Sequence, residues 1–373
     1  MRFIATADWQ LGMTASYLSD EARPRFTQAR LEAIRAIGVL ATERAAEFVL
    51  VCGDVFESNQ LDRQIVLRAF EALKQIPVPV YLLPGNHDPL DASSIYRSST
   101  FVNGCPEHVH VLSEPGVTSV RPGVEIVAAP WFTKRPLTDL VADACSALEV
   151  TPGVVRVVAG HGTTDRLSPD QDSLVAIVED DLSAVLDSGR AQVAILGDRH
   201  STTEVSDRIW YPGAPEVTSR REIDAGNVLV VDVDETSIEV ETVRVGRWVY
   251  RVEDRELTSL EDVDDLIAWI DDQPDKEVTA LWLQLSGTLS VRDKARLDDA
   301  LEERALVYAL LTLWQRHYDL SVVPDDHDFG DLGLTGFADD AVQELVDLTT
   351  DEGQWQSAQD ALGLLYRLTG GSR

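Results

Sequence analysis

Val78-Pro79-Val80-Tyr81-Leu82-Leu83-Pro84-Gly85-Asn86-His87-Asp88 decides how the rest of the chain reads. An apolar, β-type run ends in a Pro-Gly turn, which delivers an amide, an imidazole and a carboxylate in succession. A strand buried on both faces reads as such a continuous run, and in open α/β sheets the chemistry collects at the strands' carboxyl ends. The arrangement recurs four times. Asp8-Trp9-Gln10 follows residues 2–7, and Gly53-Asp54 follows residues 48–52. Gly160-His161 follows residues 154–159, and Gly197-Asp198-Arg199-His200 follows residues 191–196. Five strand ends that all supply carboxylate, amide or imidazole predict one assembled metal site.

Between these motifs, apolar residues at helical spacing predict helices over residues 23–44, 61–74 and 137–148. Residues 109–112, 116–121, 125–129, 209–211 and 228–245 read as further strand. Two sheets faced by helices is the expected architecture. Near residue 245 the pattern changes to a compact βαβαβ unit: strand 248–252, helix 260–271, strand 279–285, helix 292–313 and strand 320–323. An Asp/Gly-rich linker over 324–336 and helices over 338–348 and 354–368 complete the chain. The expected division is therefore 1–245, 246–324 and 325–373. The last helix carries a Trp355, Ala358, Leu362, Leu365, Leu368 stripe, which reads either as packing on its own domain or as a dock for a partner.

With 373 residues and 44% hydrophobic content, a soluble protein of more than one domain is expected. Cys52, Cys105 and Cys145 share no ligand spacing and read as reduced thiols of a cytoplasmic protein. The first motif comes too early for a signal peptide, and no apolar run reaches membrane-spanning length. The net charge is −32, with acids outnumbering bases on both sides of residue 245. Nucleic-acid binders usually present a basic face, so composition argues against DNA binding by this chain alone.

Asp8 and Gln10, two apart at a strand end, leave the same face of the sheet. The Asp54 carboxylate suits a bridge between two cations, and Asn86, His161, Asp198 and His200 add oxygen and imidazole donors. Such an oxygen-rich set favours Mn²⁺, or Mg²⁺, over a thiolate-type metal. His108 and His110 read as strand histidines. Trp9 and Tyr96-Arg97 suit either nucleotide stacking or packing around the cleft. Lys134-Arg135 and Arg220-Arg221 are candidate phosphate contacts.

These motifs resemble the calcineurin-like metallophosphoesterases, whose pattern is D-x-H, G-D, G-N-H-[DE], H and G-H-x-H. Within that superfamily the chain is similar to the SbcD-type DNA repair nucleases. Ala7-Asp8-Trp9-Gln10-Leu11-Gly12, Gly53-Asp54-Val55-Phe56 and Tyr211-Pro212-Gly213-Ala214-Pro215-Glu216 carry that likeness. The resemblance implies a four-layer α/β/β/α sandwich with a small α+β capping domain and C-terminal helices. It implies one metal on Asp8, Gln10, Asp54 and His200, and a second on Asp54, Asn86, His161 and Asp198. His87 would be the catalytic non-ligand, with Asp88 or Glu57 orienting its ring. The implied activity is Mn²⁺-dependent DNA hydrolysis by a metal-bridged hydroxide. The implied partner is an SbcC-like SMC-type coiled-coil ATPase, and a homodimer is compatible with the likeness. Gln10 and Asp198 depart from the family pattern, each standing where it has a histidine. Two other readings stay open: a phosphodiesterase on RNA or small diesters, and a weakly catalytic metal-binding scaffold.

Overall fold

The computed structural model describes residues 1–170, 173–323, 336–349 and 354–368. The chain divides into two units, Met1–Trp248 and Val249–Arg373. In the first, β1 (Arg2–Thr6), α1 (Ala22–Glu43), β2 (Val49–Cys52), α2 (Arg63–Leu73), β3 (Val80–Leu83), α3 (Ser99–Gly104) and β4 (Val109–Val111) follow in order. Then come β5 (Gly116–Arg121), β6 (Val124–Ala128), α4 (Leu140–Cys145), β7 (Val155–His161), α5 (Glu179–Asp187) and β8 (Val193–Gly197). Short β9 (Thr203–Ser206) and β10 (Ile209–Tyr211) precede β11 (Asn227–Val233) and β12 (Ile238–Arg244).

The strands form two six-stranded sheets, β12-β11-β1-β2-β3-β4 and β5-β6-β7-β8-β10-β9. Alternation along the strands places the layers. Phe3, Ala5, Leu50, Cys52 and Leu83 of the first sheet meet Ile126, Ala128, Val157, Ala159 and Ile195 of the second. Their neighbours Ile4, Val49, Val51 and Leu82 pack instead on Ile34 and Ile37 of α1 and Phe70 and Leu73 of α2. Val127, Val158 and Ala194 turn to Val141 of α4 and Leu182 and Val185 of α5. Each large apolar side chain buried in this way contributes roughly 1.5–3 kcal/mol. The result is a four-layer α/β/β/α sandwich, and burial on both faces is why these strands read as unbroken apolar runs.

Two elements of this unit differ from expectation. The helix expected over 137–148 begins only at Leu140, where Asp139 accepts the N–H groups of Val141 and Ala142 as a cap. The strand expected over 228–245 is a hairpin, folded at Asp234, whose carboxylate takes the N–H groups of Thr236 and Ser237.

The second unit holds β13 (Val249–Leu257), α6 (Leu260–Asp272), β14 (Thr279–Ser290), α7 (Val291–Ala305), β15 (Leu310–Leu313), β16 (Asp319–Val323), α8 (Phe337–Leu348) and α9 (Trp355–Leu368). All pairings in its sheet are parallel. The helix expected over 292–313 stops at Ala305, and residues 310–313 become a strand. The long β14 explains this: its first half pairs with β15 and its second half with β16, so both halves satisfy backbone groups on that side. Leu362 of α9 is fully buried with Val291, Ala295, Val322 and Val342, so this part of the stripe covers its own unit. The expected linker lies, apart from Gly336, outside the described residues. Among the described residues no helix is long and apolar enough to cross a membrane.

Candidate metal centre

β1, β2 and β3 are parallel neighbours in one sheet, and β7 and β8 are parallel neighbours in the other. Because the sheets pack face to face, their carboxyl-terminal ends arrive at one place. Backbone bonds lace the ends together: Asp8 N–H donates to Gly53 O at 3.0 Å, Gln10 N–H to Asp54 O at 3.0 Å and Gly162 N–H to Gly197 O at 3.1 Å. Contacts also cross between the sheets. Asp198 N–H donates to the Asp8 carboxylate at 3.1 Å, and His161 Nδ1–H donates to Cys52 O at 3.0 Å. Space for the second is made by Gly53 and Gly197, since a Cβ at either would collide with the His161 ring.

Only six non-glycine residues among those described have positive φ, and four are Asp8, Gln10, Asp54 and Asp198. That left-handed conformation is disfavoured for L-residues and is held where surrounding structure over-determines it, commonly at functional sites. Strain at four of the expected ligands marks one constrained constellation.

Its centre is Asp8, Asp54 and His161, all buried, with potential ligand atoms within 4.8 Å of one another. His161 Nε2 lies 3.4 Å from Asp54 Oδ1, 3.9 Å from Asp198 Oδ1 and 2.7 Å from Asn86 Oδ1. His200 Nε2 lies 3.9 Å from Asp8 Oδ1. Gln10 Nε2 donates to Asp54 Oδ2 at 3.1 Å. All seven expected ligands are therefore brought together.

The donor set fits cations. Gln10 Oε1 is buried without a hydrogen-bond partner, and the half-buried Asn86 amide lies against His161 Nε2 at 2.7 Å. A buried acceptor left without a partner is costly unless a cation serves it. Burial, reinforced by Asp54 and Asp198, pushes the Asp8 carboxyl up to about 7. For His161 burial acts downward, but the carboxylates of Asp54, Asp8 and Asp198 prevail and push the imidazole up to about 9. This concentration of negative charge is one that divalent cations would relieve.

The expected non-ligands divide. His87 stands at the rim with its side chain 40% exposed. Its Nδ1 is 3.0 Å from the backbone oxygen of Glu57, and its N–H donates to Asp54 Oδ1 at 2.9 Å. The Glu57 carboxylate is 3.9 Å away from the ring, so Glu57 orients it mainly through the main chain. Asp88 does not orient His87. Its buried carboxylate accepts from Gly85 N–H at 2.8 Å, Phe56 N–H at 3.0 Å and Tyr96 O–H at 2.7 Å. Asp88 and Tyr96 thus clamp the turn beneath the site, and Tyr96 is not a nucleotide platform. Trp9 is likewise buried, donating to Thr6 Oγ1. His108 bonds the Leu73 carbonyl and His110 stacks near Tyr81, both on β4 or beside it.

Two partners of His200 had no signal in a strand-end motif. Its Nδ1 is 2.6 Å from Thr218 Oγ1 and 3.2 Å from Glu222 Oε1. Glu222 also accepts Thr218 N–H at 2.9 Å. Trp131 supports the other side, donating from Nε1 to His161 O at 2.7 Å.

No curated protein matches the chain. Among solved structures, TT1561 of Thermus thermophilus is similar at 13% identity and a TM-score of 0.41, over 65% of this chain and 98% of that one. Purple acid phosphatase PPD1 from yellow lupin (Lupinus luteus) seeds is similar at 11% identity and a TM-score of 0.39, over 66% of this chain and 51% of that one. Likeness at this level adds nothing about activity. The profile of the calcineurin-like phosphoesterases matches residues 1–227, the stretch that supplies every residue of the site. The chain belongs to the calcineurin-like phosphoesterase family.

Proposed function

We propose that this metallophosphoesterase is a Mn²⁺-dependent DNA nuclease subunit acting with an SbcC-like SMC-type ATPase. The observation that carries phosphodiester hydrolysis is the convergence of Asp8, Asp54 and His161 beside an exposed, non-ligating His87. One cation would be held by Asp8, Gln10, Asp54 and His200, the other by Asp54, Asn86, His161 and Asp198. Two divalent cations, when bound, supply Lewis acidity that activates water and offsets charge on phosphoryl oxygens.

The chain's own groups do the rest. A carbonyl only accepts, so His161 Nδ1 carries the proton given to Cys52 O and its Nε2 lone pair faces the site. By the same argument His87 Nδ1–H donates to Glu57 O; in the imidazolium form the second proton sits on Nε2 at the exposed rim, from where it would pass to the leaving oxygen and leave the neutral ring still bonded to Glu57 O. The Asp54 bond to His87 N–H keeps that ring in register with the carboxylate at the centre.

The nuclease and partner readings rest on the SbcD-like motifs. In the Tyr211-to-Glu216 turn, Tyr211 O–H donates to Gly162 O at 2.9 Å, and the Glu216 carboxylate accepts from Arg247 and Trp248 N–H. A net charge of −32 makes DNA capture the partner's task, because an acidic chain repels a polyanion. The same charge favours the second reading, hydrolysis of small phosphodiesters. The test is full-length protein with Mn²⁺, Mg²⁺ or EDTA against labelled duplex, single-stranded DNA and bis(p-nitrophenyl) phosphate, with and without the ATPase. Mn²⁺-dependent DNA cleavage that rises with the ATPase supports the proposal. Cleavage of the small diester alone establishes the second reading, and no turnover with bound metal leaves a scaffold.

A further inference from the structure

The loop after β6 departs from the acidic character of the chain. Residues 131–138, Trp-Phe-Thr-Lys-Arg-Pro-Leu-Thr, contain no acid, although acids outnumber bases 64 to 32 overall. Its base is fixed to the site from two sides. Trp131 N–H donates to Pro84 O at 3.1 Å, Leu90 N–H donates to Trp131 O at 2.8 Å, and the indole donates to His161 O. The turn carrying Asn86 and His87 and the strand carrying His161 therefore both hold Trp131. Immediately beyond it Phe132 is 42% exposed and Leu137 is 84% exposed. Lys134 and Arg135 are exposed too. Arg2, Arg121, Arg156 and Arg208 each meet a carboxylate, whereas neither Lys134 nor Arg135 makes an ion pair among the described residues.

We propose that this loop is the substrate-strand contact, with Phe132 stacking on an unpaired base and Lys134 and Arg135 meeting the phosphates beside the scissile one. The inference rests on the nuclease reading and adds a preference to it. A base can stack on Phe132 only once it has left its own helix, so single-stranded or frayed DNA is favoured over intact duplex. Stacking tolerates any base, so the preference is for strand state and not for sequence. The two cationic side chains act on the phosphate backbone and make binding salt-dependent.

The experiment compares the Mn²⁺-loaded full chain, assayed in every case together with the SbcC-like ATPase, with Phe132→Ala and with Lys134→Gln/Arg135→Gln. Substrates are a labelled single-stranded oligonucleotide, its blunt duplex and bis(p-nitrophenyl) phosphate. Phe132→Ala is expected to lower kcat/KM for the single strand about 10-fold or more relative to the small diester, and to erase the preference over duplex. The double variant is expected to reduce the dependence of log affinity on log salt by roughly 1.4, about 0.7 for each phosphate no longer neutralised. Wild-type DNA cleavage whose strand preference and salt slope survive both variants overturns the loop assignment and leaves the nuclease reading standing. A uniform loss on all three substrates also overturns it, because it shows damage to the centre. A wild type that turns over the small diester and no DNA overturns both.

Discussion

Gln10 gives its amide N–H to Asp54 Oδ2 at 3.1 Å, and the bond leaves Gln10 Oε1 buried with no partner. An orphaned buried acceptor costs about 1–3 kcal/mol, which a cation beside Asp54 would remove. Gln10 is a neutral oxygen donor, weaker towards zinc than imidazole. Gln10→His should tighten the first cation and raise tolerance of zinc, as read by Mn²⁺ and Zn²⁺ titrations of both proteins. Identical affinities and preferences would make Gln10 a bystander.

Asp54 and His87 should fail in different ways. In the proposed ligand sets Asp54 is shared by both cations, so Asp54→Ala should lose metal and activity together. His87 lies at the rim, so His87→Ala should keep its metal and lose about 10²–10⁴-fold in turnover. Metal content by elemental analysis beside kcat separates the two. Loss of metal in His87→Ala would refute its role as a proton donor.

Glu222 holds the ring nitrogen of His200 that faces away from the centre. Partners of this kind fix the tautomer and orientation of a ligand histidine, and their removal typically costs 10–100-fold in affinity. Glu222→Gln keeps the shape and removes the charge, and should weaken Mn²⁺ binding by about that factor with little change in Tm. An unchanged Mn²⁺ affinity would limit Glu222 to bracing the loop through Thr218.

Metal uptake should release protons. His161 and His200 are both pushed up to about 9; burial opposes this, but the carboxylates of Asp54 and Asp8 around His161, and of Asp8 and Glu222 around His200, outweigh it. Below that pH the metal-free rings hold protons that an incoming cation must displace. Apparent affinity should therefore rise with pH and level off above about 9. Calorimetry at about pH 7 in buffers of different ionisation enthalpy counts the protons. A binding heat independent of buffer would contradict the prediction.

The strand-end polar residues and the two helix-faced sheets were legible in the sequence because both follow from local signals, apolar strand runs and the polar residues that end them, whereas the four-layer order and the sharing of ligands between two cations were implied by the family resemblance. Asp8, Asp54, Asn86, His161, Asp198 and His200 stand out by that position alone. Tertiary structure decided which atoms those residues present. Asp198 N–H reaches Asp8 from 190 residues away, and His161 meets the Cys52 carbonyl across two sheets, contacts created by sheet packing and by no local pattern. The same holds for Asp88, adjacent to His87 in sequence yet turned to Tyr96 and Phe56. Its carboxylate is buried, and a buried charge goes where three donors satisfy it, which chain order does not record. In the second unit, helical periodicity ran past Ala305 because the strand beyond it is specified by the open edge of β14, a partner that local sequence does not contain.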